Sequence, residues 1–171
     1  IPFFALPDFV IDCYLKDQLY EKKDDINEVI SKIIPKTLTI SKEEKDLLTL
    51  QIRDRNAIIR KKYNWFADFS RGEIRHRALE LYAKVGDLVY DVDCAGDRLA
   101  EFPQQELVTL SQLFTHVSRM LEMLSCLNEN LDEDESAMQL SLEGMEYNFE
   151  DIRYQLKAAV ERLRNDRFKV I

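Results

Sequence analysis

The chain has 171 residues, enough for one domain with a substantial hydrophobic core. Its net charge of −8 argues against a nucleic-acid partner, because such binding depends on many Lys and Arg contacts to phosphate. Only four Gly and four Pro are present, β-branched residues do not alternate with polar ones, and no run approaches the roughly 18 apolar residues of a membrane span. Composition therefore predicts an all-α fold.

The first predicted helix begins near Asp8 and ends at about Ile34, because Pro35 cannot continue a helix. Residues 21–25 are charged on every side, which predicts thin burial in the middle of this helix. Its apolar positions keep helical spacing at Ile11, Leu15, Leu19, Ile26, Val29 or Ile30, and Ile33.

The apolar residues 1–10 contain two prolines and no basic start, so they do not read as a signal peptide. We expect them to dock on the helices or to follow a membrane portion. The cysteines, which are odd in number and form no CxxC pair, are expected to be buried free thiols in a reducing compartment. They are Cys13, Cys94 and Cys126.

The second predicted helix begins after Ser41 and runs to about Phe69, with Glu44 completing a capping box. It is the basic helix of an acidic protein, so we expect its charges to pair internally; the alternative is contact with a membrane surface or an anionic partner. Its basic residues are Arg53, Arg55, Arg60, Lys61 and Lys62. Three aromatic residues are expected to cover the core at its end: Trp65, Phe66 and Phe69.

The third predicted helix spans residues 73–101 and ends before Pro103. Gly86 and Gly96 lie inside it, where each costs about 1 kcal/mol relative to Ala. Its apolar stripe is Ala78, Leu81, Val85, Leu88, Val92, Ala95, Leu99 and Phe102. Four acids form two pairs with four-residue spacing, which places each pair on one face of a helix: Asp87 with Asp91, and Asp93 with Asp97.

Two more helices complete the prediction. The fourth starts after Pro103, the acidic stretch 130–136 is expected to be a solvated turn or helix start, and the fifth runs to about Arg167. The fourth has a stripe at Leu107, Leu110, Phe114, Val117, Leu121, Leu124 and Leu131. The fifth has one at Met138, Leu142, Met145, Phe149, Ile152, Leu156, Ala159 and Leu163. Short links between five long helices predict an antiparallel bundle.

The run 90–97 resembles the signature of PhoU-like domains, whose third helix carries an acid-xxx-Asp motif with Gly before the last Asp. The matching positions are Asp91, Val92, Asp93, Gly96 and Asp97. Residues 70–73 are similar to that family's link between its second and third helices, and 107–164 to the start of its second repeat. Cys94 and Ala95 depart from the more usual basic and larger aliphatic residues.

The resemblance implies a single PhoU-like helical-bundle domain over residues 1–171. Residues 1–102 would form one three-helix unit, and 103–171 two helices of a second unit, which a further Asp-bearing helix would close. It also implies a non-enzymatic regulatory domain in phosphate transport or its signalling. The implied partner is a transporter or signalling protein, and a homo-oligomer is left open. The implied location is cytoplasmic, including the cytoplasmic part of a sodium/phosphate cotransporter-like protein, with only indirect membrane contact.

The resemblance further implies that Asp93 and Asp97 bind a divalent or iron cation, with Asp91 as a further candidate. Two carboxylates can share a hard cation but are too few for a tight site, so other acids would have to contribute. The candidates are Glu143, Glu146 and Glu150.

Two alternatives stay open. In the first, the chain is a helical-bundle adaptor or scaffold without metal, and its Asp stripe is only a solvated face. In the second, it is a carboxylate-metal enzyme; such bundles use Glu-xx-His on two helices, and Glu73 with His76 supplies this spacing only once. No Ser/His/Asp order or glycine-rich phosphate loop is present. We therefore predict that the chain is not an enzyme.

Overall fold

The computed structural model describes residues 6–34, 39–62, 72–125 and 135–169. Within these ranges every regular element is helical, and no helix combines the length and apolar character that crossing a membrane requires. The all-α prediction is confirmed. The described residues form the α-helices α1 (Asp8–Tyr20), α2 (Ile26–Ile33), α3 (Lys42–Lys62), α4 (Gly72–Asp93), α5 (Gln104–Ser125) and α6 (Glu135–Lys169), with a 3-10 helix (Gly96–Glu101) between α4 and α5.

The predicted first helix is in fact two helices. Lys22 adopts a left-handed backbone with φ of 58°, which ends α1. The Asp25 carboxylate then accepts a hydrogen bond from the Glu28 backbone N–H, at 3.2 Å, and caps α2. The Gln18 side chain holds the turn by accepting from the Asp25 backbone N–H at 2.9 Å. The prediction of one continuous helix to Ile34 was wrong, because the charged stretch contains a capping residue, Asp25.

The paths of α1 and α3 are parallel. Gln51 contacts Asp8, and Arg55 contacts Asp12 one turn further along both helices. Helix α2 lies between them in the sequence and contacts both. The prediction of antiparallel neighbours is therefore wrong for this pair.

The later helices alternate in direction. On α5, Leu121 and Ser125 accept hydrogen bonds from Cys13 and Lys16 of α1, so α5 is parallel to α1. On α4 the order is reversed, since Gly72 lies beside Tyr20 and Arg75 beside Asp17. Consecutive helices α4 and α5 are thus antiparallel, as predicted. The contacts of Arg77 with Glu146 and of Asp91 with Arg164 make α6 parallel to α4.

Helix α1 lies inside the bundle, in contact with α3, α4 and α5. Every residue from Val10 to Leu19 is buried, including four polar ones: Asp12, Lys16, Asp17 and Gln18. Each of the four has a different neighbour. They contact Arg55 of α3, the Ser125 carbonyl at the end of α5, Arg75 of α4 and Glu28 of α2, respectively. Burying charge costs free energy unless it is paired. Asp12 and Asp17 are paired with arginines, Lys16 bonds to a carbonyl, and the neutral Gln18 amide donates to a carboxylate.

The apolar stripes account for the other helices. All eight stripe residues predicted for the last helix are buried on α6. On α5 the stripe is buried from Leu110 onward except Phe114, which like Leu107 is half-buried; Leu131 lies outside the described residues.

On α3 the capping box is confirmed, with Ser41 and Glu44 exchanging hydrogen bonds. Internal pairing is confirmed for Arg55 with Asp12 and for Arg60 with Asp24. The predicted aromatic cluster at residues 65–69 lies outside the described residues.

Candidate functional site

The motif that carries the PhoU-like resemblance lies at the end of α4. The helix stops at Asp93, where the Cys94 and Ala95 backbone N–H groups bond to the Tyr90 and Val92 carbonyls at 3.0 Å. Gly96 follows with φ of 57°, the left-handed conformation typical of a glycine that terminates a helix. The predicted continuation to residue 101 was wrong, because Gly96 is a helix stop.

The three predicted metal ligands consequently diverge. Asp91 is half-buried and lies 3.5 Å from Arg164 of α6, beside a cleft of about 60 Å³. Asp93 is exposed and lines a larger groove against α5. Asp97 is exposed on the 3-10 helix. Asp93 and Asp97 are thus not one turn apart on one α-helix.

The fit of a metal can be tested on these side chains. Among the residues that the structure describes, no three His, Cys, Asp or Glu side chains come together to hold an ion. Glu146 pairs with Arg77, and Glu150 lies 3.8 Å from Arg153. Hard cations need more oxygen ligands than two carboxylates supply, so we derive no chemistry from a metal. Metal at Asp93 and Asp97 stays a prediction, which elemental analysis of the protein and of Asp93→Ala/Asp97→Ala tests.

The other pair, Asp87 and Asp91, does share one face of α4. One Asp87 oxygen is buried without a hydrogen-bond partner among the described residues. Burial raises the pKa of Asp87, and the charge of Asp91 raises it further. This carboxyl therefore takes up a proton more readily than an exposed one.

A groove of about 740 Å³ lies between α4 and α5, beside residues 6–9. We call it the α4–α5 groove. Its floor is apolar and consists of Leu6, Phe9, Tyr82, Val89, Val92, Leu110 and Phe114. Its polar rim consists of Asp93, Ser111, Thr115, Ser118, Arg119 and Glu122. This volume is typical of binding pockets, and an apolar floor with a few polar groups is their usual composition.

The floor of the groove is neutral. The Tyr82 and Phe114 rings pack with their centroids 5.3 Å apart. Burial raises the pKa of Tyr82 to about 12, which keeps its hydroxyl protonated. Gly86, which has no side chain, lines the groove between Tyr82 and Val89 on α4. Among the described residues, nothing charged lies below the rim.

The sequence reasoning missed this groove, although its signal was present. Tyr82, Gly86, Val89 and Asp93 keep helical spacing, one position away from the main stripe of α4. Apolar spacing assigns the main stripe to the core but does not distinguish the neighbouring stripe from solvent-exposed surface. What the sequence could not reveal is that α5 leaves this neighbouring stripe partly uncovered.

The cysteine prediction is half confirmed. Cys13 is buried, its thiol donates to the Leu121 carbonyl at 3.4 Å, and burial raises the pKa of the thiol to about 12. Such a thiol is chemically inert. Cys94 is exposed, because it follows the last turn of α4, so its predicted burial was wrong. Cys126 lies outside the described residues.

The Glu-xx-His residues of the enzyme alternative are both exposed on α4. His76 lies 3.2 Å from Glu80 rather than in a shared site with Glu73. His116, on α5, is also exposed. The structure thus gathers no catalytic group around these side chains within its described part.

No protein-family model, no curated protein and no solved structure matches the chain. The PhoU-like resemblance therefore rests on the motif at 91–97 and on the helix order.

Proposed function

We propose that the chain is a non-enzymatic regulatory domain that binds a segment of a protein partner in the α4–α5 groove. The observation that carries the proposal is the groove itself, which has a volume of about 740 Å³, an apolar floor and a polar rim. Burying apolar surface is the main driving force of protein association, and this floor offers such surface on one side of the bundle.

The shape and charge of the groove favour a helical segment. The groove runs along two antiparallel helices, which suits an amphipathic helix that lays its apolar face into it. The rim carries both signs, with Arg119 close in sequence to Glu122 on α5 and Asp93 on α4. A mixed rim fits the polar edges of a helix better than it fits a small anion.

The PhoU-like resemblance supplies the biological setting. Asp93 belongs both to the resembling motif and to the rim, so the motif lies at the edge of the proposed binding surface. In that family the setting is phosphate transport or its signalling. We therefore propose a transporter or signalling protein of that system as the partner, contacted in the cytoplasm.

Site-specific photo-crosslinking in the cell of origin tests the contact. Thr115 lines the groove, whereas Gln112 is exposed on the same helix outside it, so benzoylphenylalanine at the two positions forms a matched pair. We expect position 115 alone to crosslink a protein of phosphate transport. Equal crosslinking from both positions, or crosslinks from 115 only within the chain itself, would overturn the proposal.

Filling the groove tests the function. Thr115→Trp places a large side chain at the exposed rim without disturbing the core, and Gln112→Trp is its control. We expect deletion of the chain and Thr115→Trp to change uptake of radiolabelled phosphate in the same direction, and the control to leave uptake normal. A groove-dependent partner with no effect on phosphate uptake would replace this setting with the adaptor alternative.

A further inference from the structure

Helix α6 has a second apolar face on the side opposite its buried stripe. Leu140, Tyr147 and Tyr154 are spaced seven residues apart and are 68, 72 and 76% exposed. Between and beside them, at spacings of three and four, lie three small residues, Ala137, Gly144 and Ala158, and one acid, Asp151, all exposed. A Cβ built at Gly144 would meet nothing within 4 Å. We call these seven positions the outer α6 face.

This spacing is that of a coiled-coil seam. Large apolar residues every seventh position, with a second set three or four residues away, form the stripe that one helix presents to another. A single exposed Leu or Tyr on a protein surface is ordinary, but three at seven-residue spacing lie along one line of the helix. The buried stripe of α6 already faces the core, so the outer α6 face is additional to what folding requires.

The charges along α6 are sorted by sign. Residues 135–151 contain five acids and no Lys or Arg, whereas residues 152–169 contain six basic residues and two acids. The helix dipole favours acids at the start and bases at the end, but its effect is confined to the first and last turns. Sorting over half-helices of about 17 residues goes beyond that need.

The charges that border the outer α6 face have the same order. The positions three residues after Leu140, Tyr147 and Tyr154 are Glu143, Glu150 and Lys157. Arg164 follows seven residues later, and all four side chains are exposed. In an antiparallel pair of helices these bordering positions face their own counterparts. The acidic half of one helix then meets the basic half of the other, whereas a parallel pair would not bring these four positions together.

We infer that two copies of the chain associate through the outer α6 face, with their α6 helices antiparallel. The register that pairs Glu150 with Lys157 of the second copy also pairs Glu143 with Arg164. It sets Tyr147 beside Ala158 of the second copy, a large residue against a small one. A twofold axis repeats each contact, so one favourable pair counts twice.

The intramolecular contacts of these charges do not compete strongly. Arg164 is 3.5 Å from Asp91 and Glu150 is 3.8 Å from Arg153, and both contacts are solvent-exposed on at least one side. Ion pairs of this kind contribute little to the stability of a monomer. The overlap from residue 140 to 165 corresponds to about 39 Å of helix, ample for a specific contact.

Sedimentation equilibrium over a wide concentration range tests the association. We expect the wild type to form dimers, and Tyr147→Glu/Tyr154→Glu to be monomeric with an unchanged circular dichroism spectrum. The control is Leu47→Glu/Leu50→Glu, which alters exposed apolar residues of α3 and should leave the dimer intact. A wild type that is monomeric throughout, or a control that dissociates equally, would overturn the inference; the outer α6 face would then belong to a different partner.

A charge exchange tests the orientation. Glu150→Lys should weaken dimerisation about tenfold, because it places two positive charges together at each of two symmetric contacts. Adding Lys157→Glu should restore the wild-type affinity, since the pair is only reversed. If the double variant stays as weak as the single one, the antiparallel arrangement is wrong.

Discussion

Helices α1 and α6 differ in where their charged and apolar residues lie. Helix α1 has 13 residues, is buried from Val10 to Leu19, and carries charges inside the protein. Helix α6 has 35 residues, buries one stripe, and carries Tyr147 and Tyr154 outside. Charged residues on α1 are thus hidden, while large apolar residues on α6 are exposed.

The difference shows when apolar periodicity predicts burial. A helix at the edge of a bundle has one covered side, so its apolar stripe identifies the residues that it buries. A helix surrounded by others has no polar side, and its polar residues are placed by the partners they meet. In α1 those partners are Arg55, Ser125, Arg75 and Glu28.

The largest expected effect comes from breaking a charge pair of α1. Arg75 is only 3% exposed and lies 3.6 Å from Asp17, with which it forms an ion pair within the described part of the chain. Asp17→Ala should destabilise the protein by about 3 kcal/mol, because it removes the oxygen atoms that face the buried guanidinium, which a protonated carboxyl or an Asn would still supply. Urea denaturation measures this change.

The double variant Asp17→Leu/Arg75→Met provides the comparison. Replacing both members of a buried pair by apolar residues of similar size is often neutral or stabilising. We expect its free energy of unfolding to equal or exceed that of the wild type. If the double variant is as unstable as Asp17→Ala, the Asp17–Arg75 pair is required for stability and apolar residues cannot replace it.

An intermediate effect is expected from pH. Burial raises the pKa of Asp17 to about 6; the charges of Arg75 and His76 oppose this shift, and Glu21 adds to it. Because the folded pKa exceeds the unfolded one, the stabilising contribution of the protonated carboxyl is complete below about pH 4 and is lost as pH rises through 6.

Between pH 4 and 7 the wild type should therefore lose on the order of 1–3 kcal/mol relative to Asp17→Asn. Urea denaturation at several pH values measures the difference, with Asp54→Asn on the exposed side of α3 as control. Parallel pH curves for the wild type and Asp17→Asn would show that this carboxyl is better solvated than its position indicates.

The smallest expected effects are the opposite changes in stability on replacing Gly96 and Gly144 by alanine. Gly96 has φ of 57°, so Gly96→Ala should cost about 1 kcal/mol. Gly144 is inside α6 with open space around it, so Gly144→Ala should stabilise the monomer by about 0.5–1 kcal/mol. Thermal unfolding in dilute solution measures both, and the same sign for both would contradict the assignment of Gly96 as a helix stop.

Much of the fold could be predicted from the sequence. The stripes on α5 and α6, the capping box at Ser41 and the break at Pro103 are local signals, and each predicted its element. The break within 21–25 was missed, although Asp25 is a capping residue, because apolar spacing resumed at Ile26. The end of α4 at Asp93 was missed because Gly96 was counted as an interior glycine.

The candidate site was less predictable. The motif at 91–97 led to Asp93, which does lie on the rim of the α4–α5 groove. The groove itself depends on how residues 6–9 and α5 meet α4, which are contacts between distant parts of the chain. The parallel path of α1 and α3 also depends on such contacts, since nothing local fixes the direction of two separated helices.

The position of α1 has a consequence for synthesis of the protein. The Cys13 thiol bonds to Leu121, a residue 108 positions later, so the helix made first is enclosed by one made much later. At the usual translation rate of about 5–20 residues per second, that interval lasts roughly 5–20 s. During this time the side of α1 that packs on α5 has no partner, whereas α3, which is made earlier, can already cover another side of α1.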